Sequence, residues 1–233
     1  MSELVIRCSA LGKIMGEPRS KSAGPLSETA RSYIRELVAQ DVLGIDFIIQ
    51  SRQFDKGNQC EPEAIALLNS VRGLSLVKNT ERRTVGGLTG ECDLFDSATL
   101  DGYDTKCAWS AATFPITAAD IQSGSTAGLY EWQARAYMKL WNAERWTVAY
   151  VLLDTPPELI GYEPASLHVV GHIPERMRLT TWTIERDAAK EALIETKIAA
   201  AREYYAEVIE EFARTHWTIH PARAPAEVAA PVF

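Results

Sequence analysis

Apolar residues recur at helical spacing in four stretches of the chain, and short apolar runs with strand character lie between them. Residues 26–41 carry Ala30, Tyr33, Ile34, Leu37 and Val38 on one face behind Ser27, whose hydroxyl suits an N-cap, and this predicts an amphipathic helix. A second helix is expected to begin near Pro62, which a first turn tolerates, with Ala64, Ile65, Leu67, Leu68 and Val71 as its stripe and Glu61 at its mouth. From about 84 to 109 the pattern shortens and becomes strand-like, with Asp101-Gly102 as a turn between two arms. Residues 129–142 read as a helix, 146–153 as a buried strand ending before Pro156-Pro157, and 167–172 as another short strand. A long helix over 186–214 presents Ala189, Ala192, Leu193, Ala199, Tyr205, Val208 and Phe212 for packing on the sheet. The Pro- and Ala-rich stretch 221–233 reads as a tail after a single domain over 1–220. The order of elements implies an α/β (α+β) fold. Its central mixed sheet has strands near 89–95, 103–108 and 146–153 and is flanked by the helices that bear Glu61 and Gln133.

Composition narrows the class. With 233 residues, 46% hydrophobic and 24% charged, the chain is long enough for one sizeable core. No apolar run approaches the ~20 residues of a membrane span, and the opening MSELVIRCSALG lacks a signal-peptide pattern, so a cytoplasmic protein with no membrane partner is expected. The net charge of −7 argues against a surface that coats nucleic acid throughout, but it permits a local basic groove. Arg7, Lys13, Arg19, Lys21, Arg31 and Arg35 face only Glu17 and Glu28 in their segment, which makes it the best candidate for such a groove; an ordinary solvated face fits the same charges. Cys8, Cys60, Cys92 and Cys107 show neither C-x-x-C nor zinc spacing and read as buried thiols.

The chemistry concentrates in GECDLFDSATLDGYDTK, residues 90–106. Residues two apart on a strand face the same side, so Asp104 and Lys106 project together, and the preceding arm can bring Asp93 beside them. Close carboxylates repel unless a cation neutralises them, and hard oxygen donors suit Mg²⁺ or Mn²⁺, with the Thr105 carbonyl as a further donor. A lysine beside such a site can stabilise charge developing on a phosphate. Taken alone, an Asp-x-Lys triplet is more often a surface ion pair worth ~0–1 kcal/mol. The ordered set changes that weighting: Gly57-x-x-x-Glu61, Gly90-x-x-Asp93, Asp104-x-Lys106, then Gln133-x-x-x-Tyr137 on one helix face. Glu91 and Glu63 stand off these positions, and His168, His172, His216 and His220 have no metal spacing with them.

This order resembles the PD-(D/E)XK nuclease superfamily, with its restriction-endonuclease-like core, and in particular phage-type exonucleases like lambda exonuclease and the YqaJ-type viral recombinases. The resemblance runs from CSALGKIM through LSETARSYIRELV, KGNQCEPEAI, TGECDLFD and YDTKCAW to YEWQARAYMKLWNAERWTVAYVLLD. It implies that Glu61, Asp93 and Asp104 hold two Mg²⁺ (or Mn²⁺) ions with the Thr105 carbonyl, that Lys106 assists the attacking water, and that Gln133 and Tyr137 support the site. Ser9 matches the serine of the family's terminal-phosphate pocket, and Arg7, Lys13, Arg19 and Lys21 are the bases around it; the tryptophan and arginine that usually precede this element are not recognisable. The cysteines of relatives with an iron–sulfur cluster follow the Gln-x-x-x-Tyr helix, whereas all four precede it here, so no cluster is expected. The implied activity is a metal-dependent exonuclease that digests duplex DNA ends 5′ to 3′ for phage-type recombination. The implied setting is a bacterial host, a ring-shaped homo-oligomer such as a trimer, and a single-strand annealing protein as partner. A restriction or defence endonuclease with the same site, and a non-catalytic DNA-binding scaffold, are the alternatives.

Overall fold

The computed structural model describes residues 4–20, 24–47 and 50–217; Lys21, His220 and the expected tail over 221–233 lie outside them. At the centre is a four-stranded mixed sheet in the order β4 (Leu94–Asp96), β5 (Asp101–Cys107), β6 (Arg145–Val151), β7 (Leu179–Glu185). The β5 and β6 strands run parallel, while β4 and β7 pair antiparallel to their neighbours. A smaller sheet sets β1 (Ile6–Arg7) parallel to β3 (Leu88–Gly90), with β2 (Arg83–Val85) antiparallel on its other side.

The strand period of two decides what covers each face. On β6, Trp146 and Val148 point into the core formed with Ala134, Tyr137, Met138 and Trp141 of α5 (Ala127–Trp141). Ala149 and Val151 point the other way, where α3 (Arg52–Arg72) buries Cys60, Ala64, Ile65, Leu67 and Leu68. The sheet therefore lies between α5 and α3, the two helices that carry the Gln133 and Glu61 motifs. Helices α1 (Leu11–Ile14), α2 (Glu28–Leu43) and α7 (Ala188–Trp217) close the α5 side, and the short helices α4 (Ala118–Ser123) and α6 (Pro157–Ile160) lie in connections. The Ser27 hydroxyl accepts from the Ala30 amide at 3.2 Å, as its N-cap reading requires. Among the described residues, no helix is long and apolar enough to cross a membrane.

Several boundaries differ from the sequence reading, each for a local reason. The helix expected to start near Pro62 starts at Arg52, where Ser51 accepts from the Phe54 amide at 3.1 Å; Pro62 sits inside it. An interior proline costs about 3 kcal/mol; the buried apolar side chains on both sides of it, from Cys60 to Leu68, offset that cost. The strand expected over 89–95 is two strands in two sheets, interrupted at 91–93. There the Asp93 carboxylate accepts from the Thr105 amide at 2.7 Å, taking a donor that a continuing ladder would use. Asp101-Gly102 is not a turn but the start of β5; the chain reverses just before it, where Leu100 has a left-handed φ of 57°. Gly102 has a packing role, since a Cβ there would lie 2.0 Å from the Trp146 ring. Residues 167–172 are not a strand: the Asp154 carboxylate holds the Val170 and Gly171 amides at 2.6 and 2.8 Å in a loop. The missing edge strand is β7, whose Thr-rich LTTWTIE lacks an apolar alternation strong enough to announce it. Helix α7 packs mainly on α2 rather than on the sheet, burying Ile194, Ile198, Ala201 and Tyr205.

Candidate active site

Three elements bring the charged motif residues to one cleft. On β5, alternation points Asp104 and Lys106 toward α5, and the buried Asp104 carboxylate pairs with the half-buried Lys106 ammonium. The register that sets Leu94 opposite Tyr103 carries Asp93 to the neighbouring position on the adjacent arm, where its Oδ2 also accepts from the Thr105 hydroxyl at 2.8 Å. Glu61 arrives from α3 and pairs with Lys78. Glu61, Asp93, Asp104, Thr105, Lys106, Gln133 and Tyr137 all line a cleft of about 400 Å³.

A hydrogen-bonded chain fixes the lysine. Lys106 Nζ donates to Gln133 Oε1 at 3.4 Å, Gln133 Nε2 donates to the Tyr137 hydroxyl at 3.3 Å, and that hydroxyl donates to the Glu91 carbonyl at 3.0 Å. The Tyr137 ring stacks on Trp146 at 5.1 Å, so core packing anchors the far end of this chain. Gly90 permits the approach: a Cβ there would meet the Tyr137 ring at 2.8 Å and the Cys8 sulfur at 2.6 Å. Tyr130, which also lines the cleft, places its ring 4.9 Å from Lys106 Nζ, so the ammonium has an aromatic face beside it as well as the Asp104 carboxylate.

Burial pushes the Asp104 carboxyl up to about 6; Lys106 pulls against that, and Asp93 adds to it. Burial lowers the Lys106 ammonium, but the carboxylates of Asp104 and Asp93 outweigh it and leave the group above its usual value. Among the described residues, no three His, Cys, Asp or Glu side chains are gathered into a ready-made metal cage; Glu61 and Asp104 are engaged by lysines instead. The donor chemistry still suits a hard divalent cation. Three carboxylates from separate elements line one cleft, and one of them is buried enough that ionising it calls for a further positive charge.

A second cavity of about 310 Å³ lies beyond Tyr137, which lines both, and is walled by Arg7, Ser9, Arg82, Thr89 and Glu91 among others. Of the residues proposed to read a terminal phosphate, the structure gathers Arg7 and Ser9 there and leaves Lys13 and Arg19 outside it. Lys13 instead lies over the Tyr33 ring at 4.5 Å, and Arg19 is exposed. The base that sequence reasoning missed is Arg82. Its signal was the Glu81-Arg82-Arg83 run that leads into β2, far along the chain from the basic segment but carried near β1 by the small sheet, in which β3 pairs with both strands. His168 is buried away from the cleft, bonded to Thr155 and Glu163.

No family model and no curated protein matches the chain, but solved structures do. It matches a phage-related exonuclease from Haemophilus somnus 129PT with a TM-score of 0.85 and 37% identity, covering 91% of this chain and 97% of that one. It also matches an alkaline exonuclease, LHK-Exo, from Laribacter hongkongensis, with a TM-score of 0.67 and 18% identity over 93% of this chain and 95% of that one. The same enzyme in complex with dAMP matches at a TM-score of 0.62 and 20% identity, with the same coverage. The last two likenesses speak for the fold.

Proposed function

The chain belongs to the phage-type exonucleases of the PD-(D/E)XK superfamily, and from that premise we propose that it is a divalent-metal-dependent exonuclease acting on duplex DNA ends, with 5′ to 3′ polarity. The observation that carries this reading is the convergence of Glu61 from α3, Asp93 from the segment before β4, and Asp104 and Lys106 from β5 on one cleft. In this reading Glu61, Asp93 and Asp104, with the Thr105 carbonyl, hold Mg²⁺ or Mn²⁺. When bound, the metal supplies Lewis-acid stabilisation of the scissile phosphate and lowers the pKa of a coordinated water.

The protein's own groups supply position and charge. Lys106, aimed by Asp104 and Gln133, sets an ammonium where negative charge grows on the phosphate and the attacking oxygen. The relay through Gln133 and Tyr137 restricts its rotamers, so little ordering remains to be done during reaction. The neighbouring cavity offers the Arg7 and Arg82 guanidiniums and the Ser9 hydroxyl, the donor set that distinguishes a terminal monophosphate from an internal diester. Because Tyr137 lines both cavities, a terminal phosphate held in one sets the strand's first linkage near the other. Phe54, 58% exposed on the rim of the cleft, offers a face on which a base can stack.

The deciding experiment is nucleotide release from linear and covalently closed duplexes, with and without Mg²⁺. An exonuclease digests only the linear form and stops on chelation; cleavage of the closed form would make it an endonuclease, and no cleavage of either would favour a scaffold.

A further inference from the structure

Lys56 is the one lysine of α3, and its side chain is completely buried, 0% exposed. Among the described residues, its ammonium pairs with no carboxylate. It donates instead to the carbonyls of Ala108, Trp109 and Leu153 at 2.8, 3.0 and 2.9 Å, and lies 2.9 Å from the Thr155 hydroxyl. These acceptors stand just past the ends of β5 and β6, so a single side chain ties the helix that carries Glu61 to the two strands at the centre of the sheet. A buried cation is expensive unless every proton finds an acceptor, and here the acceptors outnumber the protons. Burial pulls its pKa down, while the charges of Asp154 and Glu63 farther off pull the other way, so the neutral acceptors around it carry the direct bonding.

A second layer holds the acceptors in place. The Thr155 hydroxyl donates to the Trp109 carbonyl at 3.1 Å and lies 2.9 Å from His168 Nδ1, while His168 Nε2 lies 3.3 Å from Glu163. Glu163 also accepts from the Trp109 indole at 3.0 Å and pairs with Arg52, one turn before Lys56 on α3. Arg52 in turn donates to the carbonyls of Leu159 and Ile160, both at 3.0 Å. The excursion between β6 and β7 is thereby fastened to the start of the Glu61 helix.

We propose that Lys56 is a positioning residue for the nuclease site. It sets the depth and rotation of α3 against β5, and so the distance at which Glu61 meets Asp93 and Asp104. A nonpolar side chain of the same length would keep the packing and lose the anchor, letting the helix slide by fractions of an ångström that a cation site does not tolerate. This rests on the metal-dependent reading of the cleft. The inference concerns Glu61's placement, not the presence of the charge in the reaction.

The test is a double-substitution cycle read by Mn²⁺ binding to the DNA-free protein, followed by titration calorimetry, with Lys56→Met and Glu61→Gln alone and combined. The expected result is that folded Lys56→Met binds Mn²⁺ at least tenfold more weakly, and that it has little further effect once Glu61 is replaced. Its nuclease rate should recover at high Mg²⁺ with the KM for duplex ends unchanged. Wild-type Mn²⁺ affinity in Lys56→Met, or a loss that simply adds to that of Glu61→Gln, would overturn the proposal while leaving the nuclease reading intact. A wild-type protein that binds no Mn²⁺ would overturn both. If circular dichroism shows Lys56→Met to be unfolded, Thr155→Val, which keeps the ammonium and removes one acceptor, carries the same cycle: weaker binding lost in the Glu61→Gln background supports the role, and unchanged binding refutes it.

Discussion

If the cleft holds a divalent ion as proposed, acid should release it, through Asp104. Its carboxyl is 4% exposed, and burial raises it from 3.8 to about 6 even with Lys106 alongside. With a value of about 6, roughly nine-tenths of Asp104 is ionised at pH 7 and roughly one-tenth at pH 5. If the cation needs the ionised form, its affinity falls about tenfold over that interval, or about 1.4 kcal/mol, and binding at pH 6 releases about half a proton. The metal-free fold responds in the opposite sense. A raised acid binds its proton more tightly when folded, so its contribution to stability is complete below about pH 4 and is lost as the pH rises through about 6. The total is about 3 kcal/mol. Mn²⁺ titration calorimetry at pH 5, 6 and 7, in buffers of different ionisation enthalpy, measures affinity and proton release together. Asp104→Asn should abolish tight binding and, with it, the proton release. Affinity that is flat from pH 5 to 7, with no proton released at pH 6, would refute the assignment of Asp104 to the cation.

Lys106 in the cleft and Lys78, which pairs with Glu61, should behave differently. Lys106→Met should keep Mn²⁺ binding while turnover on linear duplex falls by ~10² or more, because the charge it removes acts in the transition state; single-turnover rates at saturating metal decide this. Lys78→Met removes an exposed competitor for Glu61, 46% exposed and therefore weakly held, so Mn²⁺ should bind a few-fold more tightly; weaker binding would make Lys78 part of the site. Ser9→Ala with Arg82→Ala should erase a preference for 5′-phosphorylated over 5′-hydroxyl ends, compared by digestion rates on matched duplexes, and a preference that survives would move the pocket elsewhere. Gly102→Ala should cost about 3 kcal/mol or more by denaturant unfolding, since its Cβ would overlap the Trp146 ring at 2.0 Å; a cost near zero would mean the indole has room to move.

Where the sequence was legible, one physical rule dominated. Helices α2 and α5 bury a continuous stripe against the core, so apolar periodicity sufficed to place them, helped for α2 by the Ser27 cap. Where it was not, a tertiary contact overrode a local signal. Pro62 and Asp101-Gly102 are sound local signs of a helix start and a turn. Burial of the α3 stripe and the close fit of Gly102 under Trp146 decided otherwise, and neither partner is near in sequence. β7 was hidden because an edge strand with Thr180, Thr181 and Thr183 needs no apolar alternation to pair with β6.

The site divides along the same line. A strand period of two and a hairpin register are local, so the neighbourhood of Asp93, Asp104 and Lys106 could be argued from spacing alone. Charge density along the chain does not say which bases share a cavity, because this one is assembled across strands: β1 and the turn after it bring Arg7 and Ser9 beside β3, and Arg82 arrives just before β2, while Lys13 and Arg19 lie outside it. Lys56 was unreadable for a stronger reason. A lysine on a helix is expected to be solvated, and nothing around it in sequence announces the four acceptors, which lie 52 to 99 positions further along. A buried ammonium satisfied only by neutral dipoles is a demanding solution where an apolar side chain would have packed. Its presence at the seam between the Glu61 helix and the Asp104 strand therefore points to precision of placement, rather than stability, as what the residue secures.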